Sequence, residues 1–269
     1  MKVVLFCGGL GLRMREESTR LPKPMIPLGD RPILWHIMKY YSDFGFRDFV
    51  LCLGYKPEAI KDYFLNYNEA LSNDFVLRDG GKTIELLGTD THDWSMTFVN
   101  TGLTSSIGER LRRVRPYLDG DEIFLATYGD GLTDAPLQDM IDTLVANPDK
   151  AALFLCVHPT SQFHVVSLEG DHRVAAIRDV GKADLWINGG FFVFRKTVFD
   201  YLEPGGDLVE EAFGRMIAED RVMAYPYEGF WAPMDTLKDK QNLETLLESG
   251  TPPWSRPAGL NPDEASAAS

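Results

Sequence analysis

VVLFCGGLGLRM, residues 3–14, decides the fold. Five apolar residues in a row, closed by glycines, read as a strand buried on both faces, with a phosphate-approaching loop at its carboxyl end. Two common phosphate loops can be tested against it. A P-loop requires Lys-Ser or Lys-Thr after its last glycine, and neither follows. A dinucleotide fingerprint requires a third Gly or Ala three residues after Gly11, and that position is Met14. What remains is a loop of Gly8, Gly9 and Gly11, ending in Arg13, with Lys23 a short way on.

Outward from that stretch, strand and helix signals alternate. Ile33, Leu34, Ile37, Met38 and Tyr41 fall at helical spacing between Pro32 and Gly45. Residues 48–55 form the next apolar run, 57–67 the next helix, and 96–102 a third strand. In SIGERLRRVRPYL, Ser106 and Glu109 make an S-x-x-E capping box, and Leu111, Val114 and Leu118 mark one apolar face. Residues 121–131 read as a strand ending in an acidic turn, followed by a helix over 137–147 and a strand over 151–157. The rhythm then changes. Residues 163–180 predict a hairpin around Gly170-Asp171, 187–202 a strand then a helix, and 238–250 a terminal helix stopped by Gly250. Residues 1–254 read as one domain, and 255–269, polar and rich in Pro, Ala and Ser, as a disordered tail. The prediction is an α/β fold: a mostly parallel sheet flanked by helices, with a small antiparallel insertion.

The composition narrows the function. The 269 residues carry a net charge of -13, which disfavours nucleic acid as a partner while leaving small anions possible wherever a few cations converge. No apolar run reaches the roughly 18 residues of a membrane span, and the N-terminus lacks a signal-peptide layout. Cys7, Cys52 and Cys156 sit in apolar runs and read as buried thiols of a reducing, cytoplasmic enzyme.

Ligands of an open parallel sheet bind beyond the carboxyl ends of its strands. Four turns there carry chemistry: Gly8 to Arg13, Thr101-Gly102, Gly129-Asp130-Gly131, and the PMDT turn at 233–236. Two carboxylates, Asp130 and Asp235, with a cationic loop and Lys23, suit a magnesium-bound polyphosphate. Each piece alone has a plainer reading. Gly129-Asp130-Gly131 is a common turn. Asp235 is a candidate helix N-cap. Arg110, Arg112, Arg113 and Arg115 are most simply the solvated face of a helix. His36 reads as a core or boundary histidine, and His158 and His164 have no metal-ligand spacing.

Together, GGLGLRM, LPKPM, VNTGLTSSIGERLRRV, TYGDGLTD, INGGFFV and EGFWAPMDTLKDK resemble the sugar-1-phosphate nucleotidyltransferases, and among them the cytidylyl branch. The resemblance runs from Met1 to about Trp254. It implies a Rossmann-like nucleotide-diphospho-sugar transferase fold and magnesium-dependent transfer of a nucleotidyl group, CTP favoured, to a sugar 1-phosphate. It implies that Gly8, Gly9 and Gly11 contact the nucleotide through backbone, and that Arg13 and Lys23 neutralise the triphosphate. Thr101 and Gly102 fall where the family reads the base. Asp130 and Asp235 would hold Mg²⁺, and Asn188 and Gly189 would line the sugar pocket. Small-molecule substrates and a homo-oligomer are expected, with no membrane or nucleic-acid partner.

Four positions depart from the family pattern. Leu12 replaces the usual Thr. In IRDVGKADLWINGG, Asp179 stands near the family Glu and Val180 at its Lys, with Lys182 either a substitute phosphate contact or the family lysine itself, offset. His164 stands where a glycine lets the sugar approach. Glucose 1-phosphate and a modified sugar or cyclitol phosphate both remain open as acceptor, as do UTP or dTTP as donor. The altered sugar half also admits a non-catalytic, sugar-nucleotide-binding homologue, against which the retention of both aspartates weighs.

Overall fold

The computed structural model describes residues 1–9, 21–160 and 163–255. Gly11, Leu12, Arg13 and the expected disordered tail beyond Ser255 lie outside the described residues. Seven strands form the central sheet: β1 (Val3–Phe6), β2 (Asp48–Leu53), β3 (Ser95–Asn100), β4 (Ile123–Tyr128), β5 (Ala152–Val157), β6 (Ile187–Arg195) and β7 (Val222–Tyr227). Their order across the sheet is β7-β5-β6-β4-β1-β2-β3. β1 pairs in parallel with β2 and β4, and β2 with β3. β5 and β7 are also parallel. Only β6 runs against its neighbours, β5 and β4. A mostly parallel sheet with flanking helices is therefore what the chain builds.

The apolar runs are continuous because both faces are covered. Val3 and Leu5 face one core with Ile33, Leu34, Ile37, Met38 and Tyr41 of α1 (Ile33–Asp43). Val4 and Phe6 face the other, with Leu111 and Val114 of α3 (Ile107–Val114); α2 (Pro57–Leu65) precedes α3 along the chain. α4 (Leu137–Ala146) and α5 (Leu237–Glu248) join the first core through Leu144 and Leu243. Gly45 and Gly250 follow α1 and α5 with φ of 84° and 80°, left-handed values that suit a helix stop. His36 is a core histidine; its ring Nε2 lies 3.0 Å from the Leu28 carbonyl.

Some expectations are corrected. The helix expected after β6 is present and takes the 3-10 form, Lys196–Tyr201. Ser106 accepts the Glu109 N–H at 3.1 Å, but Glu109 turns its carboxylate to Arg112, Arg113 and the Gly205 N–H, so the box is half made. Cys7 and Cys52 are buried, whereas Cys156 is half-buried. The insertion is as expected: His164–Glu169 pairs antiparallel with Arg173–Asp179, and Asp171 and His172 turn the corner with φ of 63° each. Its strands lie almost wholly exposed, with Val166, Leu168, Val174 and Ile177 in solvent. A second hairpin, Phe75–Arg78 with Thr83–Leu86, was not foreseen. No described helix is long and apolar enough to cross a membrane.

Candidate active site

The strand order reverses between β1 and β4: the chain goes from β1 outward to β2 and β3, then returns to β4 on β1's other side. Such a switch point leaves a crevice at the carboxyl ends of the two strands. There lies a cavity of 310 Å³ whose lining includes Gly9, Lys23, Tyr128, Asp130, Asn188 and Asp235.

Packing explains how Lys23 reaches Asp130. Lys23 opens a one-turn 3-10 helix, Lys23–Met25, between Pro22 and Pro24. Pro24 lies against Gly129, where a Cβ would come within 2.9 Å of the proline ring and 3.1 Å of the Phe6 carbonyl. Only glycine at 129 lets the Lys-Pro segment sit on the end of β4. Asp235 arrives from the far end of the chain. Trp231–Pro233 pairs antiparallel with Gly131–Thr133, and the Met234 N–H donates to the Asp130 carbonyl at 2.8 Å. The N-cap of α5 is Thr236, in a complete capping box with Asp239, so Asp235 is not the cap. The Asp239 carboxylate accepts the Asp235 N–H at 3.1 Å. The Asp235 carboxylate lines the crevice.

The result is a three-residue cluster. Lys23 Nζ donates to Asp130 at 2.6 Å and to Asp235 at 2.5 Å. Burial pulls the ammonium's pKa down, but the charges and hydrogen bonds of the two aspartates outweigh it, and Lys23 titrates above its ordinary value. Two carboxylates converging on one cationic atom are a donor set suited to Mg²⁺, which takes one or two protein carboxylates and fills its shell with phosphate and water. No larger His, Cys, Asp and Glu cluster exists among the described residues.

The remaining expected residues divide. Asn188 and Gly189 line the cavity. Asn188 accepts the Gly190 N–H at 2.8 Å, and the Gly189 carbonyl accepts from the Trp231 indole at 2.7 Å. Gly9 lines it as well, but Gly8, Thr101 and Gly102 do not. These three sit behind the wall, gathered by a residue read as solvated. Arg110 is 3% exposed. It donates to the carbonyls of Gly8, Leu53, Gly102 and Leu103 and to the Thr101 hydroxyl, at 2.8–3.3 Å. The solvated-face reading is thus overturned for Arg110, while Arg112 and Arg113 do lie out in solvent. Helical spacing carried the signal: Arg110 is one turn from Val114 and adjacent to Leu111, on the edge of the apolar face.

His164 and Asp179 do not line the cavity. They face each other across the exposed hairpin, and Asp179 accepts the Gly181 N–H at 2.8 Å, capping its own turn. Lys182 ends the same 3-10 turn, Val180–Lys182; its side chain lies outside what is described. Sequence reasoning missed Tyr128 and Trp231. The Tyr128 hydroxyl titrates at about 12, raised first by burial and then by Asp207 and Asp130. Trp231 separates the crevice from a second cavity of 240 Å³, lined by His158, Thr160, Gly181, Tyr227 and Glu228 among others.

The profile of the nucleotidyl transferase family matches residues 2–239, and the chain belongs to that family. It is 41% identical over 256 residues to the glucose-1-phosphate cytidylyltransferase of Salmonella typhi, covering 94% of this chain and 98% of the relative. It is 36% identical to a probable glucose-1-phosphate cytidylyltransferase of Bacillus subtilis, covering 94% and 99%. Among solved structures, it superposes on a UTP-bound UGPase from Acinetobacter baumannii with a TM-score of 0.68 at 19% identity, covering 94% of this chain and 95% of that one. HddC from Yersinia pseudotuberculosis gives 0.65 at 19% identity, covering 91% and 98%. The fold is that of the sugar-nucleotide-forming transferases, and the protein is a nucleotidyltransferase.

Proposed function

We propose that the crevice joins CTP to a sugar 1-phosphate, releasing pyrophosphate and giving a CDP-sugar. The observation that carries this reading is the contact of Lys23 with both Asp130 and Asp235 at the switch point of the sheet. The relatives at 41% and 36% identity support cytosine and glucose 1-phosphate. A phosphate oxygen of the sugar phosphate attacks the α-phosphorus in line, and pyrophosphate departs. No protein nucleophile is required. Both substrates are polyanions, so catalysis consists of aligning them and cancelling charge. Lys23 supplies one positive charge on a backbone stiffened by two flanking prolines. Gly9 and Gly11 would present backbone to the nucleotide and Arg13 would add a second cation, while Arg110 holds Gly8, behind the wall, against Thr101 and Gly102. Asp130 and Asp235 would hold Mg²⁺, which would supply charge neutralisation at the phosphates.

Asn188 and Gly189 would receive the sugar. A second reading of the acceptor is favoured by Asp179, whose carboxylate is engaged with its own turn, and by His164 on the same exposed hairpin. In that reading the enzyme prefers a modified sugar or cyclitol phosphate, and Lys182 contacts its phosphate. The exposed apolar residues of the hairpin support a homo-oligomer, and the buried free thiols of Cys7 and Cys52 support a cytoplasmic enzyme.

The test is pyrophosphate release with four nucleoside triphosphates against a panel of sugar 1-phosphates. CTP should exceed ATP and GTP by roughly a hundredfold in kcat/KM, because a wrong base edge leaves buried polar groups unpaired. Equal values for all four triphosphates would remove the base assignment. A glucose 1-phosphate value below that of another sugar phosphate would decide for the second acceptor reading.

A further inference from the structure

Lys23 sits where two negative charges meet. Its ammonium bonds both carboxylates, and only 12% of the lysine side chain is exposed, against about a third of each aspartate. Pro22 and Pro24 fix the backbone on either side. The ammonium can therefore leave only by turning its own side chain. Among the described residues lining the cavity, Asp130 and Asp235 are the only carboxylates, so no other acidic side chain there can receive it.

We propose that Lys23 is a resident counter-cation, holding the point between Asp130 and Asp235 that a divalent metal would take, and that it yields this point only to an incoming triphosphate. The inference rests on the reading of the two aspartates as metal ligands. A metal arriving alone must evict an ammonium that finds no second carboxylate partner in the described lining of the cavity. A triphosphate supplies the missing anion, draws Lys23 to its own oxygens, and frees the carboxylate pair. Metal and nucleotide then bind with positive coupling, and each raises the affinity for the other by the same factor. When pyrophosphate leaves, Lys23 returns and again offsets one of the two negative charges. Removing the ammonium takes one positive charge from between the two carboxylates, so the variant should welcome the metal without nucleotide.

The test is Mn²⁺ binding, followed by the electron paramagnetic resonance of the free ion, with no nucleotide present. Lys23→Met and Lys23→Gln, shown to be folded by circular dichroism, should bind Mn²⁺ at least about tenfold tighter than the wild type, since one unit charge no longer opposes entry. Equal affinity of wild type and variants, with binding lost in the double variant Asp130→Asn/Asp235→Asn, would overturn the exchange while leaving the metal site standing. Absence of Mn²⁺ binding in every form, with or without an α,β-methylene CTP analogue, would remove the metal reading itself. Should both variants fail to fold, the wild type still decides. With ¹³Cε-labelled lysine, the Lys23 signal should move on adding Mg²⁺ together with the analogue and stay put with Mg²⁺ alone. A full shift with Mg²⁺ alone would overturn the proposal.

Discussion

Arg110 and Gly8 are 102 residues apart in the chain and 3.0 Å apart in the fold, guanidinium Nη2 to carbonyl oxygen. The same guanidinium closes on the ends of β2 and β3, so one side chain fastens three carboxyl-terminal turns together. A guanidinium is suited to this because its donors point outward in a fixed plane.

Arg110→Ala should cost about 3 kcal/mol or more, because several buried acceptors lose a charged donor at once. For a chain of this size that corresponds to a fall in melting temperature on the order of 6–12 °C. Arg110→Lys keeps the charge but reaches fewer acceptors, and should fall between. Differential scanning calorimetry checks both; a wild-type melt for Arg110→Ala would show the bonds to be idle.

Gly54 is a sharper probe of the first loop. A Cβ there would meet the Gly8 carbonyl oxygen at 2.7 Å and the Gly8 Cα at 2.8 Å, backbone atoms that cannot swing aside. Gly54→Ala should displace Gly8 and raise the KM for the triphosphate by tenfold or so, about 1.4 kcal/mol, with a smaller effect on the sugar phosphate. A change confined to the sugar phosphate would contradict the assignment of this loop.

Asp130 is about one-third exposed on its side chain, and its carboxylate pairs with Lys23. Asp130→Asn should leave the melting temperature within a few degrees of wild type and lower kcat by on the order of a hundredfold, since one charge is lost where transition-state charge must be balanced. Chelation by EDTA should abolish wild-type turnover. Undiminished pyrophosphate release in excess EDTA would exclude a metal requirement.

His36 sets a pH dependence. Burial, and then the charge of Arg31, lower its pKa from 6.5 to about 4, against the opposing hydrogen bond to Leu28. The unfolded chain therefore binds the proton first. Stability from the neutral ring is fully present above pH 6.5 and falls as the pH drops toward 4, by about 2 kcal/mol at pH 5. Urea titrations of wild type and His36→Asn at pH 7.5 and 5.0 should show the difference between them shrinking on acidification. A constant difference would mean His36 titrates normally.

The parallel strands were legible because burial on both faces leaves an uninterrupted apolar run, as in residues 3–7 and 48–53. Direction is not written in such a run: β6 reads the same whichever way it lies, so its antiparallel pairing could not be foreseen. The hairpin over 75–86 did carry a readable turn in Asp79-Gly80-Gly81, all three with positive φ. Lys23, Asp130 and Asp235 were legible as residue types beside turns, and the fold adds that they touch. Arg110 was hidden because its acceptors are the backbone carbonyls of residues 8, 53, 102 and 103 and one hydroxyl, that of Thr101, which no side-chain pattern announces.

Lys23 and Asp235 stand 212 residues apart, and this separation sets a clock. A ribosome adding about 5–20 residues per second makes Lys23 some ten to forty seconds before its second carboxylate exists. Until then Gly131–Thr133 lacks its partner strand and the crevice lacks a wall. On the proposed role of Asp235, a chain cut short of that residue should therefore release no pyrophosphate from a triphosphate.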